Sequence, residues 1–460
     1  MIKEITPQMK GKKVIVAGAG RSGIRSTELL LRQGAEVILF DQNEALDREA
    51  LMKEFGGSDH VELAIGNLSM EKIHEADLMV ISPGIPLDTP FVNRVRDAKV
   101  PIWGEIELAA KYNKGRIAGI TGTNGKTTTT SLVGAIFQAY KPDSLIVGNI
   151  GTPFTQFADQ TYEGQLISAE ISPFQLDTVY SLHPEVSALL NLTPDHLNRY
   201  ITFENYADAK MKIIENQTME DTFVVNYDDP EVRKRAEQVT NVRVLYFSRV
   251  KELEEGVFVR NGWIVVREAG KETEVLPLSE IRILGNHNVE NVLAAVAITF
   301  RMGVPVDVIR KAVADFKGVE HRIEYVRTVH GVPYYNDSKG TNPDAAIKAI
   351  QAMKGPTFLI GGGYDKHNTY DEWIEAFDGK VKSLVLLGET AQAIAECAKA
   401  HDFLHFVFVD TLEEAVRFCY EHAREGDAVL LSPACASWDM FKDFEQRGTL
   451  FKEYVNQLGE

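Results

Sequence analysis

Short, continuously apolar runs that end in glycine or in a polar cluster recur along most of this chain. Residues 13–17, 36–41 and 78–81 are the first three. Such runs are the mark of strands buried on both faces of a parallel sheet. Residues 116–120, 143–151, 166–172 and 186–192 repeat the pattern, and so do 357–360, 384–387 and 428–431. Segments of helical period lie between them. Residues 24–33 form one, closed by Gly34; Leu132, Val133, Ile136 and Phe137 share a face of another; residues 284–291 open a third built of small apolar side chains. This alternation predicts an α/β protein of parallel sheets with its ligand loops at the carboxyl ends of the strands. Residues 222–285 differ, with short alternating runs and charge-rich turns, and after His321-Arg322 a hairpin-like turn at Val329-His330-Gly331-Val332 joins two strands. There is no internal repeat.

Two glycine turns stand between a strand and a helix. The first, Gly18-Ala19-Gly20-Arg21-Ser22-Gly23, is followed by a second strand ending in Asp41. This is the dinucleotide-binding layout, with an acid about twenty residues on where a ribose hydroxyl would lie. It calls for a phosphate-bearing nucleotide without specifying NAD. The second turn is Gly119-Ile120-Thr121-Gly122-Thr123-Asn124-Gly125-Lys126-Thr127-Thr128. Backbone N–H groups and a helix N-terminus converge there on an anion. A lysine for the β/γ-phosphates and a hydroxyl for magnesium fill the places of a nucleoside-triphosphate loop. Ile120 occupies the place of the usual first glycine.

Polar groups recur at the other strand ends. Ser82-Pro83-Gly84 follows one strand, Asn149 another; Glu170 stands near the end of a third, either as a surface acid or as a magnesium ligand, and Asp195-His196 follows a fourth. Tyr206, Lys210, Ile213 and Ile214 stand at i, i+4, i+7 and i+8 of a helical stretch, so Lys210 falls inside the apolar stripe while Asp208 and Lys212 point elsewhere. A lysine there either snorkels to water or is functional and modified. Asn288 and Asn291 are one helical turn apart and can face one side or cap the helix.

Composition narrows the setting. The 460 residues suit about three domains. A formal net charge of -17 with no long basic run argues against non-specific nucleic-acid binding. No apolar run is long enough for a membrane span. Cys397, Cys419 and Cys435 form neither a C-x-x-C pair nor a disulfide framework, which with an N-terminus lacking an apolar signal core predicts a cytoplasmic protein.

Three further motifs carry a resemblance: Asn336-Asp337-Ser338-Lys339 with Thr341-Asn342, the Gly-Gly-Gly-x-Asp-Lys turn ending at Lys366, and Leu431-Ser432-Pro433-Ala434-Cys435-Ala436-Ser437 with Phe444-Glu445-Gln446-Arg447-Gly448. Together with the loop at residues 121–127, the chain resembles the Mur ligases over essentially its whole length, and among them the branch that adds D-glutamate. The resemblance implies a Rossmann-like N-terminal domain for the UDP-substrate (residues 1–113), a central P-loop ATPase domain (114–318) and a C-terminal Rossmann-like α/β domain for the amino acid and ATP (319–460). It implies a monomer in which ATP phosphorylates the carboxylate of UDP-N-acetylmuramoyl-L-alanine and the amine of D-glutamate attacks the acyl phosphate, with the C-terminal domain closing on the central one about a hinge near Lys317-Gly318. No nucleic-acid or membrane partner is implied.

The residue roles follow from the same resemblance. Gly122, Thr123, Asn124, Gly125, Lys126, Thr127 and Thr128 would cradle ATP with Asn291, Arg322 and Asp337. Thr127, Glu170, His196 and Lys210 would hold Mg2+, Lys210 as the carbamate formed with CO2; Lys126, Glu170, His196 and Lys210 would be the catalytic set. Ser22, Asp41, Ser82 and Gly84 would bind the UDP end, with Asn149 and Ser172 on the muramoyl-alanine part. Lys339, Thr341, Lys366, Ser437 and Phe444 would seat D-glutamate. Two other enzymes share part of this pattern. A folylpolyglutamate synthase-like ligase should lack residues 12–41, and an NAD-dependent dehydrogenase would use only the first turn. A nucleotide-dependent switch leaves Lys339, Lys366 and Ser437 without a purpose.

Overall fold

The computed structural model describes residues 8–459. Strands β1 (Lys13–Ala17), β2 (Glu36–Asp41), β3 (Val61–Ile65), β4 (Leu78–Ile81) and β5 (Ile102–Gly104) form an all-parallel sheet in the order β3-β2-β1-β4-β5. The chain steps outward from β1 to β3 and then returns to β1's other side. The crevice between β1 and β4 is therefore the point where the strand order reverses, and loops leaving it are placed to bind ligand. Ala17 pairs with Ile81, and the Ser82 N–H donates to the Ala17 carbonyl at 3.0 Å. The glycine turn after β1 and the Ser82–Gly84 loop after β4 are thus neighbours.

A second sheet holds β6 (Arg116–Thr121), β7 (Leu145–Gly148), β8 (Leu166–Glu170), β9 (Val186–Leu189), β10 (Thr222–Asn226), β11 (Arg243–Ser248), β12 (Gly256–Arg260), β13 (Trp263–Glu268) and β14 (Lys271–Pro277). Their order is β14-β13-β12-β11-β10-β9-β6-β8-β7. It is parallel as far as β12 and antiparallel beyond, where the alternating runs after residue 250 turn back on themselves. Strand β6 lies between β8 and β9, so the loop at residues 122–125 is flanked by the ends of both.

The third sheet contains β15 (Glu324–Val329), β16 (Val332–Asn336), β17 (Thr357–Gly361), β18 (Val381–Leu386), β19 (Phe406–Phe408) and β20 (Ala428–Leu431), in the order β15-β16-β20-β17-β18-β19. Only β15 is antiparallel. Because β20 returns between β16 and β17, three polar loops that are far apart in sequence open side by side.

The chain divides into two compact units: Met1–Pro277 with Glu290–Ala312, and Leu278–Val289 with Val313–Glu460. In the first, the helix Arg21–Arg32 buries Leu29 and Leu30 in a core shared with Phe154, Ala158 and Leu176 of the second sheet's layer. Arg32 grips Asp159 through two bonds, Nη2 to Oδ1 at 2.8 Å and Nε to Oδ2 at 3.0 Å. Glu105, fully buried, accepts from the Thr155 N–H (3.0 Å) and hydroxyl (3.1 Å), and burial raises its pKa. These contacts fix the crevice of the first sheet relative to the phosphate loop of the second.

Some elements differ from the patterned runs at their ends. The first helix begins at Arg21 because extended Gly20 already serves as its N-cap, so Ser22 lies in its first turn. The strand expected over 143–151 spans only Leu145–Gly148, since Ser144 turns back onto the Lys141 carbonyl. The helix carrying Lys210 runs Phe203–Met211 and tightens into a 3₁₀ turn over Lys212–Ile214.

Candidate active site

The phosphate loop is held by side chains from three directions. Gly125 has φ +82°, and a Cβ there would lie 2.2 Å from Asn291 Oδ1, so only glycine lets the loop turn against this asparagine. Asn291 also accepts from the Thr129 hydroxyl at 3.3 Å. Asn124 exchanges hydrogen bonds with Asn191 after β9, and the Thr123 hydroxyl joins the Thr193 backbone and the Tyr206 hydroxyl. Lys126 and Thr127 open the helix Lys126–Tyr140, whose start has no side-chain cap and directs its first-turn amides at the loop's hollow.

Two lysines meet on one carbonyl here. Lys126 Nζ donates to the Gly122 and Thr123 carbonyls, each at 2.8 Å, and Lys210 Nζ donates to the same Gly122 carbonyl at 2.8 Å. Lys210 is fully buried, with Nζ 4.6 Å from the Tyr206 ring centre. Its pKa falls well below the usual lysine range, first because burial penalises the ammonium and then because Lys126 repels it; Asp195 and Glu170 oppose the shift. The helical phase that put Lys210 in the apolar stripe is correct, and the side chain does not snorkel to water.

Glu170, at the end of β8, is 2% exposed. Its Oε1 accepts from Asn149 Nδ2 at 2.8 Å, but Oε2 is buried with no hydrogen-bond partner. A buried carboxylate oxygen without a donor suits a hard cation, and the neighbouring hydroxyl, imidazole and carboxylate chemistry fits magnesium. His196 caps a short helix with φ +52°, its ring edge-on to Phe174 at 4.8 Å. Burial lowers its pKa; Asp195 opposes this, while Lys210, Lys126 and Arg199 add to it. Lys126 and Lys210 thus meet on Gly122, Asn149 bonds Glu170, and both Glu170 and His196 lie within electrostatic reach of Lys210. Ser172 does not present its hydroxyl to this group. It forms a capping box with Gln175 at the start of helix Pro173–Leu176.

A narrow crevice at the first sheet is lined by Ser82, Glu105, Phe174, Gln175 and Arg199 among others, and Phe174 also meets the His196 ring. Arg199 stacks 4.1 Å over Phe174 and donates to the Pro83 carbonyl at 3.0 Å. At the first glycine turn a Cβ on Gly23 would lie 1.7 Å from the Gly18 carbonyl, whereas one on Gly20 would meet nothing within 4 Å. Gly18 and Gly23 serve the turn; Gly20 leaves room for a ligand at the helix N-terminus. Asp41 turns back onto the turn, accepting from the Ala19 N–H at 2.8 Å and the Asn43 N–H at 2.9 Å. Ser22 lies in the first turn of the helix that follows this glycine turn, and Gly84 in the loop after β4.

The second unit gathers the remaining candidates. The loops after β16, β20 and β17 bring Lys339 over Phe444 (5.4 Å) and Lys366 over Trp438 (5.3 Å), with Ser437 buried between the strand ends and Thr341 partly exposed. Asp337 is buried, accepting from the Ser432 hydroxyl at 2.7 Å and the Ile323 N–H at 3.2 Å. Burial pushes its pKa up to about 6 against the opposing charge of Arg322. Arg322 lies between His321 (φ +63°) and Ile323 (φ +45°), and its Nε is buried without an acceptor. Left-handed backbone at a β-branched residue is costly and concentrates at functional sites. Asn288 bonds the Leu284 carbonyl at 2.6 Å, a local role at its helix start.

Arg447 has no role in the sequence reading, yet it ties these loops together. It is 2% exposed and donates to the Ser338 hydroxyl (3.0 Å) and carbonyl (2.8 Å) and to the carbonyls of Cys435 and Ala436 (both 3.2 Å). Its place in the run Phe444-Glu445-Gln446-Arg447-Gly448 is the one sequence signal that marks it.

Comparison with known proteins places this architecture. Residues 12–104 match the MurD-like N-terminal domain of Mur ligases, 120–299 the Mur ligase middle domain, and 321–435 the Mur ligase glutamate ligase domain. A protein of Lachnoclostridium phytofermentans named UDP-N-acetylmuramoylalanine–D-glutamate ligase is 53% identical over 97% of this chain and 98% of its own length. The chain belongs to the Mur ligase family. A Thermoanaerobacter pseudethanolicus protein of the same name is 46% identical, with 98% and 99% covered. Among solved Mur ligases, MurC of Thermotoga maritima superposes with a TM-score of 0.61 at 20% identity (97% and 99% covered), and MurF of the same organism, in complex with ADP, with 0.58 at 19% (98% and 96% covered). These distant likenesses bear out the three-domain Mur ligase fold. Among the described residues no helix is long and apolar enough to cross a membrane.

Proposed function

We propose that this Mur ligase joins D-glutamate to UDP-N-acetylmuramoyl-L-alanine at the expense of ATP, in the cytoplasmic synthesis of peptidoglycan precursors. The substrate pair follows from the names of relatives 46–53% identical over nearly the full chain. The observation that carries the chemistry is the meeting of Lys126 and Lys210 on the Gly122 carbonyl near Glu170, whose Oε2 is unpaired. A carboxylate is a poor electrophile, and its oxygen leaves only after phosphorylation. The chain's task is therefore to position the carboxylate against the γ-phosphate and to neutralise charge as the phosphoryl group passes.

In this reading Lys126 swings from its carbonyls onto the β/γ-phosphates, while residues 122–128 and Asn291 hold the triphosphate. Arg322 supplies a charge to ATP, and Asp337 accepts from its ribose. The attacking carboxylate oxygen takes the γ-phosphoryl group and ADP departs. The neutral amine of D-glutamate then adds to the acyl carbon, loses a proton, and expels inorganic phosphate. Thr127, Glu170, His196 and a carbamylated Lys210 would hold magnesium, which when bound draws charge from the phosphate oxygens. A buried Lys210 whose ammonium form is disfavoured suits carbamylation: the deprotonated amine nitrogen bonds the carbon of CO2 and releases a proton, putting an anion where a second ammonium would otherwise stand beside Lys126. Ser22, Asp41, Ser82 and Gly84 take the UDP end, Asn149 the muramoyl-alanine end, and Lys339, Thr341, Lys366, Ser437 and Phe444 the amino acid. Ser172 acts through the capping box that shapes the substrate cleft. The division of labour follows residues 1–113, 114–318 and 319–460.

Borohydride trapping tests the pathway. With ATP, Mg2+ and UDP-N-acetylmuramoyl-L-alanine but no D-glutamate, borohydride should reduce an acyl phosphate to the alcohol, and adding D-glutamate should replace the alcohol by the glutamyl product. ADP formation independent of the UDP-sugar, or product without trapped alcohol, overturns the reading.

A further inference from the structure

Four side chains with metal-binding chemistry converge on two neighbouring helices of the second unit, none of them among the residues assigned to the loops just described. Asp371 and Glu375 lie one turn apart on helix Asp371–Glu375. Cys397 lies one turn before His401, the C-cap of helix Ala391–Ala400. One ligand atom each from Asp371, Cys397 and His401 lie within 4.8 Å of one another. His401 Nε2 is 3.0 Å from Asp371 Oδ1, and its Nδ1 is 3.7 Å from Glu375 Oε1. The buried faces of the two helices, Trp373 and Ile374 on one, Ile394, Ala395 and Ala398 on the other, belong to one core cluster, so the opposing pairs are held in place from below. Capping does not account for the ring. The His401 backbone N–H makes the cap bonds, leaving the imidazole to the carboxylates.

We propose that Asp371, Cys397 and His401 form a binding site for a divalent ion of the zinc class, with Glu375 orienting the imidazole. Zinc bonds of about 2.0–2.3 Å to oxygen, nitrogen and sulfur put tetrahedral ligands about 3.3–3.7 Å apart. The separations in the cluster bracket that range, so rotation of partly exposed side chains suffices to close it. Mixed O/N/S donors select a borderline-soft ion over magnesium, which takes oxygen. Nε2 faces Asp371 and serves as the ligand. Nδ1 lies 3.7 Å from Glu375 Oε1, so a small ring rotation would let Nδ1–H donate to it, the carboxylate–histidine–metal arrangement that fixes the tautomer. Metal binding displaces the Cys397 thiol proton, which leaves to solvent. Three protein ligands leave a fourth position for water. The helix Asp371–Glu375 directly follows the loop that carries Lys366, so an ion here would staple the base of that loop.

Cobalt titration of the full-length protein in excess Mg2+ tests the site. Expected are a thiolate-to-cobalt charge-transfer band in the near ultraviolet, visible bands of four-coordinate intensity, saturation at one equivalent, and displacement by Zn2+. Cys397→Ser should abolish the charge-transfer band. Glu375→Gln, a change at an exposed residue, should retain the band but weaken Zn2+ binding by roughly ten- to a hundredfold. Absence of the band overturns the proposal, as does a band that survives Cys397→Ser, or Zn2+ affinity unaffected by His401→Ala. Any of these would leave the four residues as a surface ion-pair cluster.

Discussion

Replacing Arg447 by methionine separates what this side chain does for stability from what it does for the amino-acid loops. Methionine keeps most of the buried stem and removes all five donors. Ala436 O retains the Tyr364 N–H at 3.0 Å, and the Ser338 hydroxyl retains the Phe444 carbonyl at 2.8 Å. The Ser338 and Cys435 carbonyls lose their Arg447 bonds. Two buried acceptors stranded in this way cost about 2–6 kcal/mol together. Against this, burial holds the Arg447 pKa down from 12.5 to about 10, a penalty on the charge of about 3 kcal/mol at 1.36 kcal/mol per pH unit, and the variant escapes it. The balance runs from a gain of about 1 kcal/mol to a loss of about 3 kcal/mol, because an apolar replacement of a buried charge is often near neutral. Function has no such compensation. The fork joins the loops carrying Lys339 and Ser437, and Ala436 in turn accepts from Tyr364 of the loop carrying Lys366; misplacement by about 1 Å can cost on the order of a hundredfold. Steady-state kinetics should show kcat/KM for D-glutamate falling by about that factor, while thermal melting moves modestly. Arg447→Lys, which keeps the charge but not the planar fork, should recover only part of the loss. A native kcat/KM for D-glutamate in the methionine variant, or collapse of the fold, refutes this assignment.

Other perturbations give equally definite expectations. Lys210→Ala should reduce turnover by at least a hundredfold, and acetate or propionate should restore part of it by placing a carboxylate where the carbamate would lie; full activity without rescue contradicts the carbamate. Gly125→Ala forces a left-handed alanine, costing about 1 kcal/mol or more, and drives its Cβ against Asn291 Oδ1. ATP turnover should be lost while binding of the UDP-sugar, measured by calorimetry, persists. Asp337 has its pKa raised from 3.8 to about 6 in the folded state, so its ionisation opposes folding. The cost is complete above about pH 6 and vanishes below about pH 4, on the order of 3 kcal/mol across that window. Relative to Asp337→Asn, the native chain should therefore gain stability as pH falls from 6 to 4 in chemical denaturation, and identical slopes for the two would be contrary to this.

The parts of the site that the sequence reveals are local. A strand, a glycine turn and a helix are contiguous, so the loop at residues 119–128 and the turn at 18–23 can be read directly, and helical phase alone places Lys210 on a buried face. Arg447 and Glu105 escape such a reading because their partners are distant: Arg447 bonds Ser338 109 residues away, and Glu105 bonds Thr155 across 50. The left-handed backbone at His321 and Ile323 is equally hidden, since neither residue type advertises a positive φ. Ser172 is a different case. Ser172-Pro173-Phe174-Gln175 is a capping-box pattern with proline at the first helical position, and this local signal would have assigned its hydroxyl to the helix.

The most direct test of the central claim is phosphate release from ATP and Mg2+ with UDP-N-acetylmuramoyl-L-alanine across a panel of amino acids that includes both glutamate enantiomers. Release that requires the UDP-sugar and occurs with D-glutamate alone is the predicted result. Release with L-glutamate or another amino acid in its place, or with no UDP-sugar present, would contradict it.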